Sequence, residues 1–356
     1  MNTLVTPCLT ASTPALPLAA AQQHGVGQRL PTAFELRQAL PRIDRLHAQV
    51  EDHREQIRDI LCGRDERLLV VAGPCSLHDP KAALEYGARL ARLADALQDQ
   101  LLIVMRAYVE KPRTTVGWKG LLYDPRLDGS DDMLQGLALS RELMLGLLNL
   151  GLPLAGELLQ PMAVTYFEDL LAWGAVGART TESQIHREMA SGLRLPVGFK
   201  NGTDGSLGVA CDAIRSAAHP HRHFGLDLHG HPCLLRTDGN PDCHLVLRGG
   251  HGRPNYSEAD VASAAAQLRK AGVSPRIMVD CSHANSGKDP LRQPEVLAEV
   301  LRQRRQGSRE LFGVMLESHL FEGAQSLGPE LRYGVSITDA CLGWEATEAT
   351  LRAACA

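Results

Sequence analysis

The chain has 356 residues, 44% of them hydrophobic and 22% charged, with a formal net charge of −4. That balance excludes wholesale disorder, a collagen-like rod and a coiled coil. A net negative chain is also a poor fit to nucleic acid as its main partner, although a cationic cleft for a small anion stays open. Nine cysteines spread from Cys8 to Cys355 make no disulfide framework and read as reduced thiols in a cytoplasmic enzyme. No apolar stretch is long enough to span a bilayer, so no membrane partner is expected.

Residues 1–29 begin with a Ser, Thr, Pro and Ala-rich stretch that lacks a positively charged start. They read as a mobile tail rather than a secretory signal. In residues 30–62, Ile43, Leu46, Val50, Ile57, Ile60 and Leu61 recur at roughly helical spacing within a charged segment, which predicts an arm with a helix.

From residue 63 to 356 an alternation sets in. Short apolar runs (LLVVAGPCS, LLIVMRA, LPLAGELL, AVGAR, PVGFKNG, HLVLRGG, RIMVDCSHAN and LFGVMLESH) alternate with longer helical patterns such as KAALEYGARLARLADAL and AVTYFEDLLAW. Strands buried on both faces read as continuous apolar runs. Eight such runs, seven intervening helices and a last helix near 346–354 predict an α/β fold, a (β/α)8 TIM barrel with an N-terminal extension. Residues 219–242, HPHRHFGLDLHGHPCLLRTDGNPD, break the rhythm and predict an inserted β-hairpin with a polar, His-rich surface.

In such barrels the reactive groups lie where strands run into the loops that follow them. Those points carry Cys75, Arg106 (then Lys111 and Arg113), Glu157, Arg179, Lys200, Arg248, His283 and Glu317, with Asp339 further on. Taken singly, each reads equally well as a surface charge or ion-pair member. As a set they do not, because converging cations repel one another and cost desolvation. Arg106, Lys111, Arg113, Arg179, Lys200 and Arg248 are anion binders, enough for two phosphates or for a phosphate and a carboxylate with a second phosphate. Cys75, His283, Glu317 and Asp339 are suitable ligands for a first-row metal. Their spacing proves nothing; adjacency of the first, seventh and eighth strands around a closed barrel is the argument. Cys75 alone also reads as a small buried hydrophobe, and Cys281 as a packing residue.

The segments GPCSLHDP, VMRAYVEKPRTTVGWKG, GARTTESQ, PVGFKNGTDG, GNPDCHLVLRGG, DCSHANSGK, GVMLESHL and YGVSITDACLGWE, in this order, resemble the type I 3-deoxy-D-arabino-heptulosonate 7-phosphate (DAHP) synthases. The likeness is to the larger, feedback-regulated bacterial and fungal branch, and runs from about residue 30 to the C terminus. It implies a transferase that condenses phosphoenolpyruvate with erythrose 4-phosphate and releases phosphate, at the entry to chorismate and the aromatic amino acids. It also implies a divalent metal (Mn, Fe, Co or Zn) on Cys75, His283, Glu317 and Asp339, which would polarise the aldehyde oxygen of the second substrate. By the same resemblance Arg106, Lys111, Arg179, Lys200 and Arg248 bind phosphoenolpyruvate, and Arg113 and Thr114 bind erythrose 4-phosphate. Lys111 is the candidate proton donor, and Glu157 or metal-bound water the candidate for handling the attacking water. The metal-site thiolate would be prone to oxidation.

The resemblance further implies an aromatic amino acid effector, bound near the hairpin and the arm of a neighbouring subunit in a homodimer or homotetramer. The hairpin sequence looks closer to tyrosine-responsive and tryptophan-responsive members, and tyrosine is favoured. Two rival readings differ in test: a 3-deoxy-octulosonate 8-phosphate synthase would prefer arabinose 5-phosphate, and a non-catalytic ligand-sensing barrel would show no turnover.

Overall fold

The computed structural model describes residues 28–113 and 115–355. Most of the segment expected to be a tail, and Thr114, lie outside the described residues. The chain divides into two units, Met1–Leu30 and Pro31–Ala356. Residues 28–30 of the first carry no regular structure; the second holds every element below.

Two helices come first, α1 (Ala33–Ala39) and α2 (Asp44–Cys62). The helical pattern in 30–62 is therefore split, and Pro41 accounts for it. Proline pushes the residue before it out of the α region, and Leu40 sits at φ −127, ψ 72. Thr32 and Glu35 form a reciprocal capping box at the start of α1. Gly63, in the left-handed region at φ 79, ends α2.

Strand and helix then alternate: β1 (Leu68–Gly73), α3 (Pro80–Leu97), β2 (Leu101–Arg106), α4 (Met133–Asn149), β3 (Leu154–Glu157), α5 (Pro161–Phe167), β4 (Trp173–Val176), α6 (Gln184–Gly192), β5 (Val197–Lys200) and α7 (Gly208–Ala217). A two-stranded antiparallel hairpin follows, β6 (Arg222–Leu226) and β7 (Pro232–Arg236), with Phe224 opposite Leu234. The alternation resumes with β8 (Cys243–Leu247), α8 (Glu258–Lys270), β9 (Ile277–Asp280), α9 (Gln293–Arg305), β10 (Leu311–Glu317) and α10 (Trp344–Ala354). The eight long-range strands are all parallel and close in the order β1-β10-β9-β8-β5-β4-β3-β2. The barrel expected from the apolar runs is the observed fold.

Two boundaries differ from expectation. The segment AVTYFEDLLAW is helical only to Phe167 and continues as a 3₁₀ turn, Glu168–Leu170. Trp173 then opens β4, which ends at Val176, so Gly177 to Arg179 belong to the loop. Trp173 is an interior barrel residue, fully buried, and that burial overrides helical continuation.

The barrel interior packs Leu69, Val71, Val104, Trp173, Val246, Met278, Phe312 and Met315 into one cluster with Ile57, Ile60 and Leu61 of α2. Each such side chain contributes about 1.5–3 kcal/mol by leaving water. His244 is the polar member of this floor. Its Nε2 accepts a hydrogen bond from Trp173 Nε1 at 3.1 Å, and Nδ1 lies 3.0 Å from Asp242 O. Burial lowers this imidazole to about 4, so it is neutral at ordinary pH.

The segment before the barrel is fastened by charge. Arg141 of α4 reaches both carboxylate oxygens of Asp169 at 2.8 and 2.9 Å, Tyr166 O at 2.8 Å and Leu40 O at 2.7 Å. Tyr166 in turn donates to Pro31 O at 2.6 Å.

Candidate active site

The strands deliver their last residues to one end of the barrel, and a cavity of about 290 Å³ opens there. Arg106, Lys111, Arg113, Arg179, Lys200 and Arg248, the six cations singled out in the sequence, all line it. So do Glu157, His283, Glu317 and Asp339. Cys75 lies beneath the wall, fully buried.

Cys75, Glu317 and Asp339 form the donor group: one ligand atom from each lies within 4.8 Å of the others. Glu317 ends β10 and faces Cys75, just beyond the end of β1, because the two strands pair with Gly73 beside Glu317. His283 is not part of this close group. The reason is local. Its Nδ1 is held 2.9 Å from Asp280 Oδ2 and 2.6 Å from Ser282 Oγ, although the ring still faces the cavity.

Lys111 is the cation these acids share. Its Nζ lies 2.8 Å from Cys75 Sγ and 3.0 Å from Asp339 Oδ2. Burial would lower the Lys111 ammonium, but Cys75, Glu317 and Asp339 outweigh it and raise the group above its ordinary value. Burial would likewise raise the Asp339 carboxyl; Lys111 and then His283 hold it below the usual carboxylate range instead. The Cys75 thiol is pushed up to about 12, first by burial and then by Glu317. A thiol so placed ionises only beside strong positive charge, and a metal ion supplies that charge to a coordinating sulfur. One sulfur and two carboxylates in mutual reach, with a His at the same cavity, fit a divalent first-row ion.

Arg106 is a different kind of cation. It is fully buried, its Nη2 lies 3.2 Å from Glu317 Oε1, and its guanidinium stacks over the Tyr108 ring at 4.1 Å. Its Nη1 and the Tyr108 hydroxyl are buried with no hydrogen-bond partner among the described residues. Two orphan donors aimed into one polar cavity suit an oxyanion, since leaving each unmade costs about 1–3 kcal/mol. Lys200, also buried, pairs with Asp280 at 2.8 Å. Arg248 N is held by Asn201 Oδ1 at 2.8 Å, and burial lowers its guanidinium against the opposing pull of Asp280. Glu157 reaches the cavity past Gly177, where a Cβ would lie 2.9 Å from its Oε1.

The loop after β2 carries Lys111 and Arg113. Lys111 N donates to Lys119 O at 2.8 Å, and Leu122 N to Val109 O at 3.1 Å. Gly120, at φ 122, lies against Val109 O, where no side chain would fit. Behind the loop, Glu110 is buried; it accepts a hydrogen bond from Tyr123 Oη at 3.1 Å, and burial raises its carboxyl to about 7.

Three residues of the site escaped the sequence reading. Asp280 is the first strong group at the end of β9, ahead of His283, and its position as the charged end of an apolar strand was the available signal. Tyr108 is masked by its apolar neighbours Ala107 and Val109. Lys288, exposed at φ 66 after Gly287, adds a seventh cation to the cavity wall.

A family model described as the DAHP synthetase I family matches residues 45–352. The Tyr-sensitive phospho-2-dehydro-3-deoxyheptonate aldolase of Escherichia coli (strain K12) is 55% identical over 328 residues, 91% of this chain and 92% of that protein. The Phe-sensitive enzyme of the same strain is 55% identical over 301 residues, 84% and 86% respectively. Among solved structures, phospho-2-dehydro-3-deoxyheptonate aldolase from Francisella tularensis SCHU S4 superposes with a TM-score of 0.90 at 44% identity, covering 93% of this chain and 97% of that one.

Proposed function

The chain belongs to the DAHP synthetase I family, and from that premise we propose that it condenses phosphoenolpyruvate with erythrose 4-phosphate and water. The products are 3-deoxy-D-arabino-heptulosonate 7-phosphate and inorganic phosphate, and the reaction is the first step of the shikimate pathway. The observation that carries the reading is one cavity lined by seven basic side chains, with the Cys75, Glu317 and Asp339 donor group at its edge.

Arg106, Lys111, Arg179, Lys200 and Arg248 hold the carboxylate and phosphate of phosphoenolpyruvate. Arg113 and Thr114 hold the phosphate of erythrose 4-phosphate. Two polyanions that repel each other in water are thereby kept in contact, which is positioning together with electrostatic preorganisation. Lys111 is placed between the donor group and the cavity, and donates a proton to the oxygen of the former aldehyde once the enol carbon has attacked. The cationic wall also steadies the phosphate, which leaves by C–O cleavage after water adds to the carbon that bears it, the neighbour of the carbon that attacked. Glu157 is positioned to take a proton from that water. Cys75, Glu317 and Asp339, with His283 as fourth ligand, would hold a divalent ion (Mn, Fe, Co or Zn), which would supply Lewis-acid polarisation of the aldehyde oxygen.

An aromatic amino acid regulates the enzyme through the hairpin and the arm of an adjoining subunit, in a homodimer or homotetramer, with tyrosine favoured by the hairpin sequence. The Tyr-sensitive and Phe-sensitive relatives are each 55% identical to this chain, over 328 and 301 residues respectively, so percentage identity does not choose between them. A cytoplasmic location accords with the described helices, none of which is long and apolar enough to cross a membrane.

Phosphate release tests the reading. Turnover with phosphoenolpyruvate and erythrose 4-phosphate, lost on chelation and restored by one or more of the four metals, is the expected result. Turnover with arabinose 5-phosphate instead, or none with either sugar, would overturn it. Lys111→Met at near-normal turnover would remove the proton-donor role, and inhibition by none of the three aromatic amino acids would remove the regulatory one.

A further inference from the structure

We propose that Asp280 is a positioning residue that links the two halves of the cavity: one buried carboxylate orients both the Lys200 ammonium and the His283 imidazole. What those two groups bind rests on the reading above; the link itself rests on geometry.

Asp280 ends β9 and is fully buried. Its Oδ1 accepts hydrogen bonds from Ser282 N at 3.1 Å and Ser282 Oγ at 2.7 Å. Its Oδ2 accepts one from Lys200 Nζ at 2.8 Å and lies 2.9 Å from His283 Nδ1. The sheet makes this sharing possible. Lys200 ends β5 and Asp280 ends β9, with β8 between them: Lys200 is level with Val246, and Leu247 with Val279. Two inter-strand steps of about 4.8 Å separate the backbones, a gap that the lysine stem spans. A buried carboxylate without a partner costs several kcal/mol, so the pair holds Lys200 in one place at the cavity wall.

The same oxygen settles the histidine. A carboxylate only accepts hydrogen bonds, so Nδ1 carries the proton and Nε2 presents a lone pair. Outer partners of this kind fix the orientation of a metal-binding ring. His283 also adopts φ 56, unusual for a residue with a Cβ, and its carbonyl is tied down by Lys288 N at 2.7 Å. Strained backbone persists where surrounding contacts over-determine it; here those contacts are Asp280, Ser282 and Lys288.

Asp280 touches neither expected ligand, yet its removal disturbs both. The test is Asp280→Asn in the full-length protein, read by equilibrium dialysis of Mn²⁺ and by steady-state kinetics. The expected result is Mn²⁺ affinity weaker by about 10–100-fold, with KM for phosphoenolpyruvate raised about tenfold and KM for erythrose 4-phosphate nearly unchanged. The double variant Lys200→Met/Asp280→Asn removes both charges and so spares the fold a lone buried ammonium. It should keep the loss of Mn²⁺ affinity, whereas Lys200→Met alone should raise KM for phosphoenolpyruvate and leave Mn²⁺ binding intact.

Unchanged Mn²⁺ affinity in both Asp280 variants would overturn the proposal, as would failure of both to fold. No Mn²⁺ binding by the wild-type protein would also overturn it. Absence of turnover in a wild-type protein that binds Mn²⁺ would sink the assigned reaction but not this link, because the dialysis readout is independent of activity.

Discussion

Gly136→Ala sets helix propensity against packing. Gly136 lies early in α4, where alanine ordinarily stabilises a helix by about 1 kcal/mol over glycine. An alanine Cβ there would lie 2.6 Å from Leu122 C and 2.8 Å from Leu121 O, and closer still to Leu122 O. Non-bonded carbons rest about 3.5–4.0 Å apart, so the Leu121 and Leu122 backbone must retreat by about 1 Å. It has little room to do so. Both side chains are fully buried, Leu122 N is bonded to Val109 O, and Tyr123 N donates to Gly120 O at 3.0 Å. Overpacking of this kind costs about 1–3 kcal/mol, so the substitution should destabilise by up to roughly 2 kcal/mol after the helix gain. The displaced segment also anchors the loop of Lys111, and a shift of about 1 Å at reacting groups can lower the rate about 10²-fold. Urea unfolding and turnover read the two effects. Gly146→Ala is the control: in the same helix its Cβ would meet only Leu84 Cδ2 at 3.1 Å, a side-chain end that can yield, and it should be neutral or stabilising. Equal stability gains in both variants would refute the argument.

Glu110→Gln probes the raised carboxyl behind that loop. Glu110 in the folded chain keeps its proton to about pH 7, against an ordinary value of 4.5. Its contribution is therefore complete below about pH 4.5 and lost as pH rises through 7, a change of roughly 3 kcal/mol. Wild-type stability relative to Glu110→Gln should fall by that amount between pH 4.5 and 8, and a constant difference would count against it. Arg141→Met should destabilise by about 1–3 kcal/mol in urea unfolding, since it removes the two-pronged partner of Asp169 and leaves only Arg37 Nε, at 3.6 Å, among the described residues; adding Asp169→Leu should recover part of the loss. Arg106→Lys keeps the charge but removes the fork that holds Glu317 and offers Nη1 to the cavity, and turnover should drop about 10²-fold. Retention of a third or more of wild-type turnover would show that no fork is needed.

The barrel was legible because its strands are buried on both faces and so appear as unbroken apolar runs. Positional reasoning at the strand ends then located residues that do converge on one cavity, from Arg106 to Asp339. The failures have physical causes. Pro41 sets α1 apart from the helical pattern that begins at Ile43, and tertiary burial of Trp173 turns the end of a helical pattern into a strand. Strand adjacency led to His283 at the same cavity, but adjacency is blind to a neighbour such as Asp280 that engages one ring nitrogen. Asp280 closes an apolar strand, and its place in the sequence does not show that its carboxylate meets Lys200 and His283 rather than solvent. Lys288 is reached only through a turn with three residues at positive φ, His283, Gly287 and Lys288, a backbone path that composition does not announce.

Closure of the sheet between β1 and β10 joins segments more than two hundred residues apart, and this orders events during synthesis. A nascent chain cut before Leu311 has the open hydrogen-bonding edges of β1 and β9 and lacks both Glu317 and Asp339. Exposed edges of that kind invite association with other chains. Release of the last stretch from the ribosome therefore seals the sheet and completes the catalytic end in the same act, so that a truncated product should be insoluble rather than a slow enzyme.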